Sequence, residues 1–374
     1  MSVAPPPGLL DAIAGVPLSP AVLSAWNSAA SQAYSDPARM HHAGRKSGLL
    51  LESARTSISH SLGVSPQNVF FAASAPDAIR AAIVGIYRVR SAISHQVLVG
   101  AVESMAVMGS TQSLPEVEIV TIDCNEWGAI SIDSLLNSLE QAPPNGPALV
   151  CLQVANAEVG TRQPFGQALA ACRERGVPVI ADSTAVITRD QLPADFDVLI
   201  APARDWGGPP GVAILITAPH LRWRPEEAPD RGWIGGFPDI PAAAAAAVAL
   251  EESIDWSSSA NQARHQISQV RTALEASGLT CAGDENNRLP HILTFTITGA
   301  AAGALVTELD KRGISVAAGS ACTADTRMPS HVLEAMGLPN DASIRISLPR
   351  NCSQETIDTF LRELPLALEH VRNN

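Results

Sequence analysis

A polar knot between two apolar runs is the first place in this chain where chemistry could sit. Residues 201–217 read APARDWGGPPGVAILIT: one run ends, Arg204, Asp205 and Trp206 follow, and glycines and prolines lead into a second run. That layout predicts a strand, a tight turn facing a ligand, and another strand. Cys322 is the second candidate. It stands in GSACTADTRMPSH, where Gly, Ser, Ala, Thr and Asp predict an exposed loop. A thiolate presented in this way can attack a persulfide and carry sulfur with no cofactor. The third cue is a scarcity. Among 25 basic residues only Lys46 and Lys311 are lysines, so imine chemistry has two candidate amines. Lys46 falls at the start of an N-terminal helix. Lys311, in ELDKRG, falls at a helix end, where the dipole favours a cation. Both read as solvated surface residues.

The remaining cysteines are scattered and form no Cys-x-x-Cys pair, which argues against a zinc ribbon; no metal site is expected. The start of the chain lacks the basic segment of a signal peptide, so the thiols are expected to be reduced and the protein cytoplasmic. Hydrophobic residues make up 46% and charged residues 17%, a globular composition. A net charge of −12 with no Lys/Arg run argues against direct nucleic-acid binding. No apolar run reaches membrane-spanning length.

The elements that position these residues follow from periodicity. Short apolar runs bounded by turn residues predict strands at NVFFAA, QVLVGAV, VEIVTI, ALVCLQVA, VPVIADS, DVLIAPA and VAILIT. Helical stretches such as PDAIRAAIVGIYRVR and FGQALAACRERG lie between them, the second stopping at Gly176. The alternation predicts a mainly parallel sheet with helices on both faces and ligands beyond the carboxyl ends of its strands. PAAAAAAVALEESIDW and ANQARHQISQVRTALEASG read as two further helices. HILTFTIT, AGALVTELDKRG, ISVAAGSAC, SIRISLP and SQETIDTFLRELPLALEHVR then predict a separate, smaller α+β unit. The boundary is placed in WSSSANQ, giving a large α/β domain at 1–257, with a proline-rich N-terminal arm, and a small domain at 258–374.

Four segments, in order along almost the whole chain, resemble cysteine desulfurases of the class V aminotransferase group of pyridoxal-phosphate (PLP) enzymes. DPARMHHAGR is similar to that family's Asn-Pro-Ser-Ser-x-His-x-x-Gly-Arg segment, and VANAEVGTRQPFGQ to its Asn-Asn-Glu-Ile-Gly-Thr-x-Gln-Pro segment. KRGISVAAGSACTADTRMPSHVLEAMGL is similar to the loop bearing the catalytic cysteine with the helix after it, and SIRISLPRNCSQETID to the strand bearing the substrate-carboxylate arginine. The resemblance implies the PLP-dependent transferase fold. It also implies that Asp182 matches the aspartate facing the pyridine nitrogen, Arg345 the carboxylate-binding arginine, and Cys322 the persulfide carrier.

The departures fall where the cofactor would bind. The family's imine lysine is Asp205 here, and the histidine before it is Arg204. The phosphate-binding threonine is Pro76, which has neither hydroxyl nor backbone N–H. The ring-stacking histidine is Ser104, an asparagine is Ala157, a glutamine is Ala185, and the threonine lent by a second subunit falls at Phe237. A carboxylate forms no imine, so no covalent PLP is expected. The bulkier Trp206, Phe237, Pro76 and Arg204 are expected to fill the vacated volume, Arg204 pairing with a carboxylate. The implied function is a sulfur-relaying or non-catalytic subunit, pairing with itself or with an active desulfurase-like subunit and passing sulfur to an acceptor protein. The alternatives are an active cysteine desulfurase, or a PLP-independent enzyme using Cys322, Asp182, Asp205 and Arg345. Cys322 on this reading is either a relay or a thiol with no present role.

Overall fold

The computed structural model describes residues 5–319, 329–339 and 342–373. Its larger sheet takes up β1 (Val69–Ala72), β2 (Gln96–Gly100), β3 (Glu118–Ile122), β4 (Leu149–Gln153), β5 (Val179–Asp182), β6 (Val198–Pro202), β7 (Ala213–Thr217) and β8 (Trp233–Ile234). The strand order is β3-β2-β4-β5-β6-β7-β1-β8, with β7 antiparallel to both its neighbours and the other pairs parallel. The first seven are the strands expected from the apolar runs. β8, only two residues long, gives too little pattern to be seen in sequence.

Residue alternation assigns the two faces. On β6, Val198 and Ile200 join the core under α3 (Ala75–Arg90) and α4 (Met105–Gln112). Leu199 and Ala201 join the core under α1 (Pro20–Gln32), α2 (His42–Leu62) and α7 (Ile240–Ser253). Leu98, Val150 and Val179 face α5 (Ile132–Gln141) and α6 (Phe165–Glu174). Strands covered on both faces need apolar residues at every position, and β2, β4, β6 and β7 are buried throughout. The edge strand β3 instead exposes Glu118 and Ile119. The alanine run of α7 lets it lie close on the sheet: Ala242, Ala243, Ala245 and Ala246 are fully buried.

The smaller unit pairs β9 (Thr280–Ala282), β10 (Ile292–Thr296), β11 (Ala317–Ala318) and β12 (Ser343–Ser347) in the order β11-β12-β10-β9, all antiparallel. It packs on α8 (Ser257–Ala276), α9 (Ala302–Lys311) and α11 (Gln354–Asn373), with α10 (His331–Ala335) nearer the large sheet. The N-terminal arm attaches here. Leu10 donates to Ser315 O at 2.9 Å, Ser347 donates to Leu10 O at 2.7 Å, and Leu10 is fully buried in the small unit's core. No helix among the described residues is long and apolar enough to cross a membrane.

Candidate functional site

The carboxyl ends of β1, β2, β4, β5 and β6 lie along one edge of the sheet. The turns that leave them bring the expected site residues together. Asp182 is the last residue of β5. Its carboxylate accepts from Thr184 N–H at 3.0 Å and from the Ser104 hydroxyl at 3.3 Å. Ser104 follows β2 and caps α4 by accepting from Val107 N–H. Serine is among the residues best suited to that cap. At this edge it satisfies a carboxylate and a helix end at once.

Asp205 stands in the short 3₁₀ turn Ala203–Trp206 after β6, which closes on Gly207 in a left-handed conformation at φ 83°. Its Oδ2 accepts from Ala185 N–H at 2.6 Å. Burial pushes Asp205 up to about 7, against the pull of that N–H and of the Arg204 charge, and Asp182 adds to the rise. Burial likewise raises Asp182. Glu103, completely buried, is held well above the usual carboxylate range by burial, although Gln153 N–H donates to it at 2.8 Å. Three carboxyl groups therefore crowd this edge, and burial raises each of them. Sequence reasoning singled out Asp182 and Asp205 but gave Glu103 no role. Its signal, an acid directly beyond an apolar strand, was present in GAVES.

Pro76 lies in the first turn of α3, where Ser74 Oγ already accepts from Asp77 N–H at 3.2 Å. The helix therefore caps itself. Ala157 is in the turn after β4, where Asn156 Oδ1 accepts from Glu158 N–H at 2.9 Å and Val159 N–H at 2.8 Å. Glu158 accepts from the Ser330 hydroxyl at 2.6 Å, and burial lifts it to about 7 despite Ser330 and the Arg345 charge. Arg345 lies on β12 and pairs with Asp11 of the N-terminal arm at 3.3 Å. Its Nε is buried without a partner.

Three expectations need correction. Trp206 does not fill a vacated pocket over Asp182. It is 1% exposed within the large core, and its indole N–H donates to Ala246 O in α7 at 2.9 Å. A buried indole needs both an apolar seat and an acceptor, and α7 supplies both. Phe237 is 65% exposed and fills nothing within this chain. Arg204 is exposed and makes no ion pair among the described residues, though its charge is felt by Asp205. Cys322 lies outside the described residues. Lys46 is on α2 and Lys311 ends α9 beside Glu308 at 3.5 Å; neither belongs to this edge.

Comparison with known proteins gives this arrangement its family. The aminotransferase class-V profile matches residues 9–360. An IscS-like cysteine desulfurase of Mycobacterium tuberculosis is 31% identical, over 97% of this chain and 96% of its own length. A putative cysteine desulfurase IscS 1 of Bacillus subtilis is 28% identical, over 95% of this chain and 97% of its own. Among solved structures, a NifS-like protein superimposes with a TM-score of 0.87 over 97% of this chain and 100% of that one, at 23% identity, a likeness of fold. The chain belongs to the class V aminotransferase family and, within it, to the cysteine desulfurases.

Proposed function

We propose that this chain serves sulfur transfer without an imine-forming cofactor, as a sulfur relay or non-catalytic partner to an active desulfurase. The observation that carries this reading is Asp205. It occupies the position that the resemblance gives to the imine lysine, held by Ala185 N–H at 2.6 Å. An imine needs an amine. Both lysines of the chain stand on helices away from this edge.

The other residues at the edge do not fit PLP either. A phosphate at the start of α3 would meet Pro76, which has no N–H, and an Asp77 N–H already engaged by Ser74. Ser104 presents no ring to stack on a pyridine. Asp182 could face a protonated ring nitrogen, but it is already hydrogen-bonded by Ser104 and Thr184.

Relay chemistry asks less of the site. The Cys322 thiolate attacks the terminal sulfur of a donor persulfide. The donor's S–S bond breaks, the donor leaves as a thiolate, and Cys322 carries the new persulfide with its proton. The partner would be a second copy or an active desulfurase-like subunit. Tyr34, Met40 and Phe237, between 65% and 86% exposed, offer apolar surface for such pairing.

A second reading, an active cysteine desulfurase, draws support from the similarity over nearly full length to proteins bearing that name. One experiment separates the two. The protein is mixed with sulfur-labelled cysteine, with and without an active desulfurase, and persulfide on Cys322 is followed by mass spectrometry. The relay reading expects label only when the desulfurase is present. Label without it would establish a desulfurase, and label in neither mixture would remove the relay.

A further inference from the structure

We propose that the cavity beside Asp205 is a binding site for a small organic carboxylate, held by Arg189 and Arg350 with His291 as a third polar contact. The inference goes beyond the sulfur-transfer reading: the cavity shares Ala185, Arg204 and Asp205 with that site, but Arg189, Arg350 and His291 have no part in it, and neither Asp182 nor Arg345 lines the cavity. The space amounts to about 120 Å³ and is enclosed by segments far apart in sequence: the N-terminal arm at Ile13, the end of α7 at Ala249, and the turn after β12 at Arg350. A space of that size is well above the roughly 10–15 Å³ one water needs on this measure and suits a compact molecule of a few carbons.

The polar lining sets three arginines, Arg189, Arg204 and Arg350, against two carboxyl groups, Glu252, which already accepts from the Ser19 hydroxyl, and Asp205, which burial raises to about 7. Arg189 donates to Leu348 O, and Arg350 donates to Thr188 and, at 2.8 Å, to Ser253 O. These bonds fix the two guanidinium groups in place, but all the acceptors are neutral. Among the described residues neither arginine makes an ion pair with a carboxylate. Burial pushes Arg189 down to about 9, and the Arg350 charge pushes in the same direction. Burial alone brings Arg350 down to about 10. Two partly desolvated cations side by side are an unfavourable arrangement that a bound anion relieves.

His291 supplies the independent sign of a missing ligand. It is 3% exposed, lines the cavity, and its Nδ1 is buried with no partner. Burial, followed by the charges of Arg189, Arg350 and Arg288, holds its pKa well below the ordinary value, so it stays neutral and can present an N–H. Ala185 at φ 66° and Thr188 at φ 56°, both ahead of Arg189 in the segment after β5, are non-glycine residues in left-handed conformations. Such strain is held only by surroundings that over-determine it.

The rest of the wall decides between anions. Ile13, Val16, Ala249 and Pro349 contribute apolar surface that an inorganic oxyanion would leave unused. A carboxylate with a short aliphatic tail uses both halves of the lining, its oxygens on the arginines and its tail against the arm and α7.

Isothermal titration of the purified full chain with butyrate, butyramide and sulfate tests the proposal. Butyrate should bind with one-to-one stoichiometry, butyramide at least tenfold more weakly, and sulfate should compete poorly. Arg189→Met should weaken butyrate at least tenfold. Ala249→Leu, which fills the cavity and leaves every charge in place, should abolish binding while a thermal melt shows the protein folded; this keeps the test valid if the arginine variant fails to fold. Equal binding of butyrate and butyramide, sulfate binding as tightly as butyrate, or Ala249→Leu binding like the unaltered protein would each overturn the assignment.

Discussion

The turns after β4 and after β6 leave the same edge of the same sheet, yet the chain treats them differently. The turn after β4 keeps the family's glutamate and is tied down from all sides. Asn156 accepts two backbone N–H groups and donates to Val102 O at 3.1 Å. Glu158 holds Ser330, and its carbonyl accepts from Thr294 in the small unit at 2.7 Å. The turn after β6 carries Asp205 where the resemblance places a lysine, and among the described residues Asp205 accepts only from Ala185 N–H of the neighbouring turn. The turn after β4 joins the two units through Glu158 and Thr294. The turn after β6 closes instead on Ala185 of its neighbour.

This contrast predicts a graded set of effects. The largest belongs to the retained turn. Asn156→Ala leaves buried backbone N–H groups at 158 and 159 without an acceptor and should destabilise the fold by about 3 kcal/mol in a denaturant titration. A loss below about 1 kcal/mol would mean that the turn is not the joint described.

Next comes the replaced turn, through pH. Asp205 stands at about 7 in the folded chain, against roughly 3.9 when unfolded. Between those values the folded state holds the extra proton, so stability should fall as pH rises from about 4 to about 7. The groups acting on the carboxyl are Arg204, Asp182 and Arg189. Glu158, also near 7, tilts the curve in the same sense. Asp205→Asn should therefore flatten the pH dependence of the melting temperature without removing it. An unchanged slope would contradict the assignment of a raised carboxyl to this turn.

Ser104→Ala removes the cap of α4 and one donor to Asp182, and a loss of about 1 kcal/mol is expected. Ser104→His, which restores the family's ring without its lysine, should not create PLP binding. The smallest effect is expected from replacing both lysines by arginine. Lys46→Arg with Lys311→Arg should leave persulfide transfer to Cys322 unchanged, whereas an active desulfurase relying on either amine would lose activity.

Much of the fold was legible because β1 to β7 are local: each is a short apolar run, several rich in Val and Ile, with turn residues at both ends. β8 and β9, of two and three residues, carry no periodicity to read. Gathering Asp182, Ser104 and Asp205 at one edge followed from strand order, which the resemblance supplied. The fate of Trp206 did not follow, because a turn residue next to glycines reads equally well as facing a ligand or facing the core. Only the packing of α7 decides between them. Arg189, His291 and Arg350 left no mark at all. They come from three distant segments, and nothing in VITRD, RLPHI or SLPRN marks their convergence.

The central claim is that this edge forms no imine. Its most direct measurement is to saturate the purified protein with PLP, reduce with borohydride, and map the peptides by mass spectrometry alongside the visible absorption spectrum. The account predicts a colourless protein and no pyridoxyl adduct on Lys46 or Lys311. A stoichiometric adduct on either lysine, with release of sulfur from free cysteine, would contradict it.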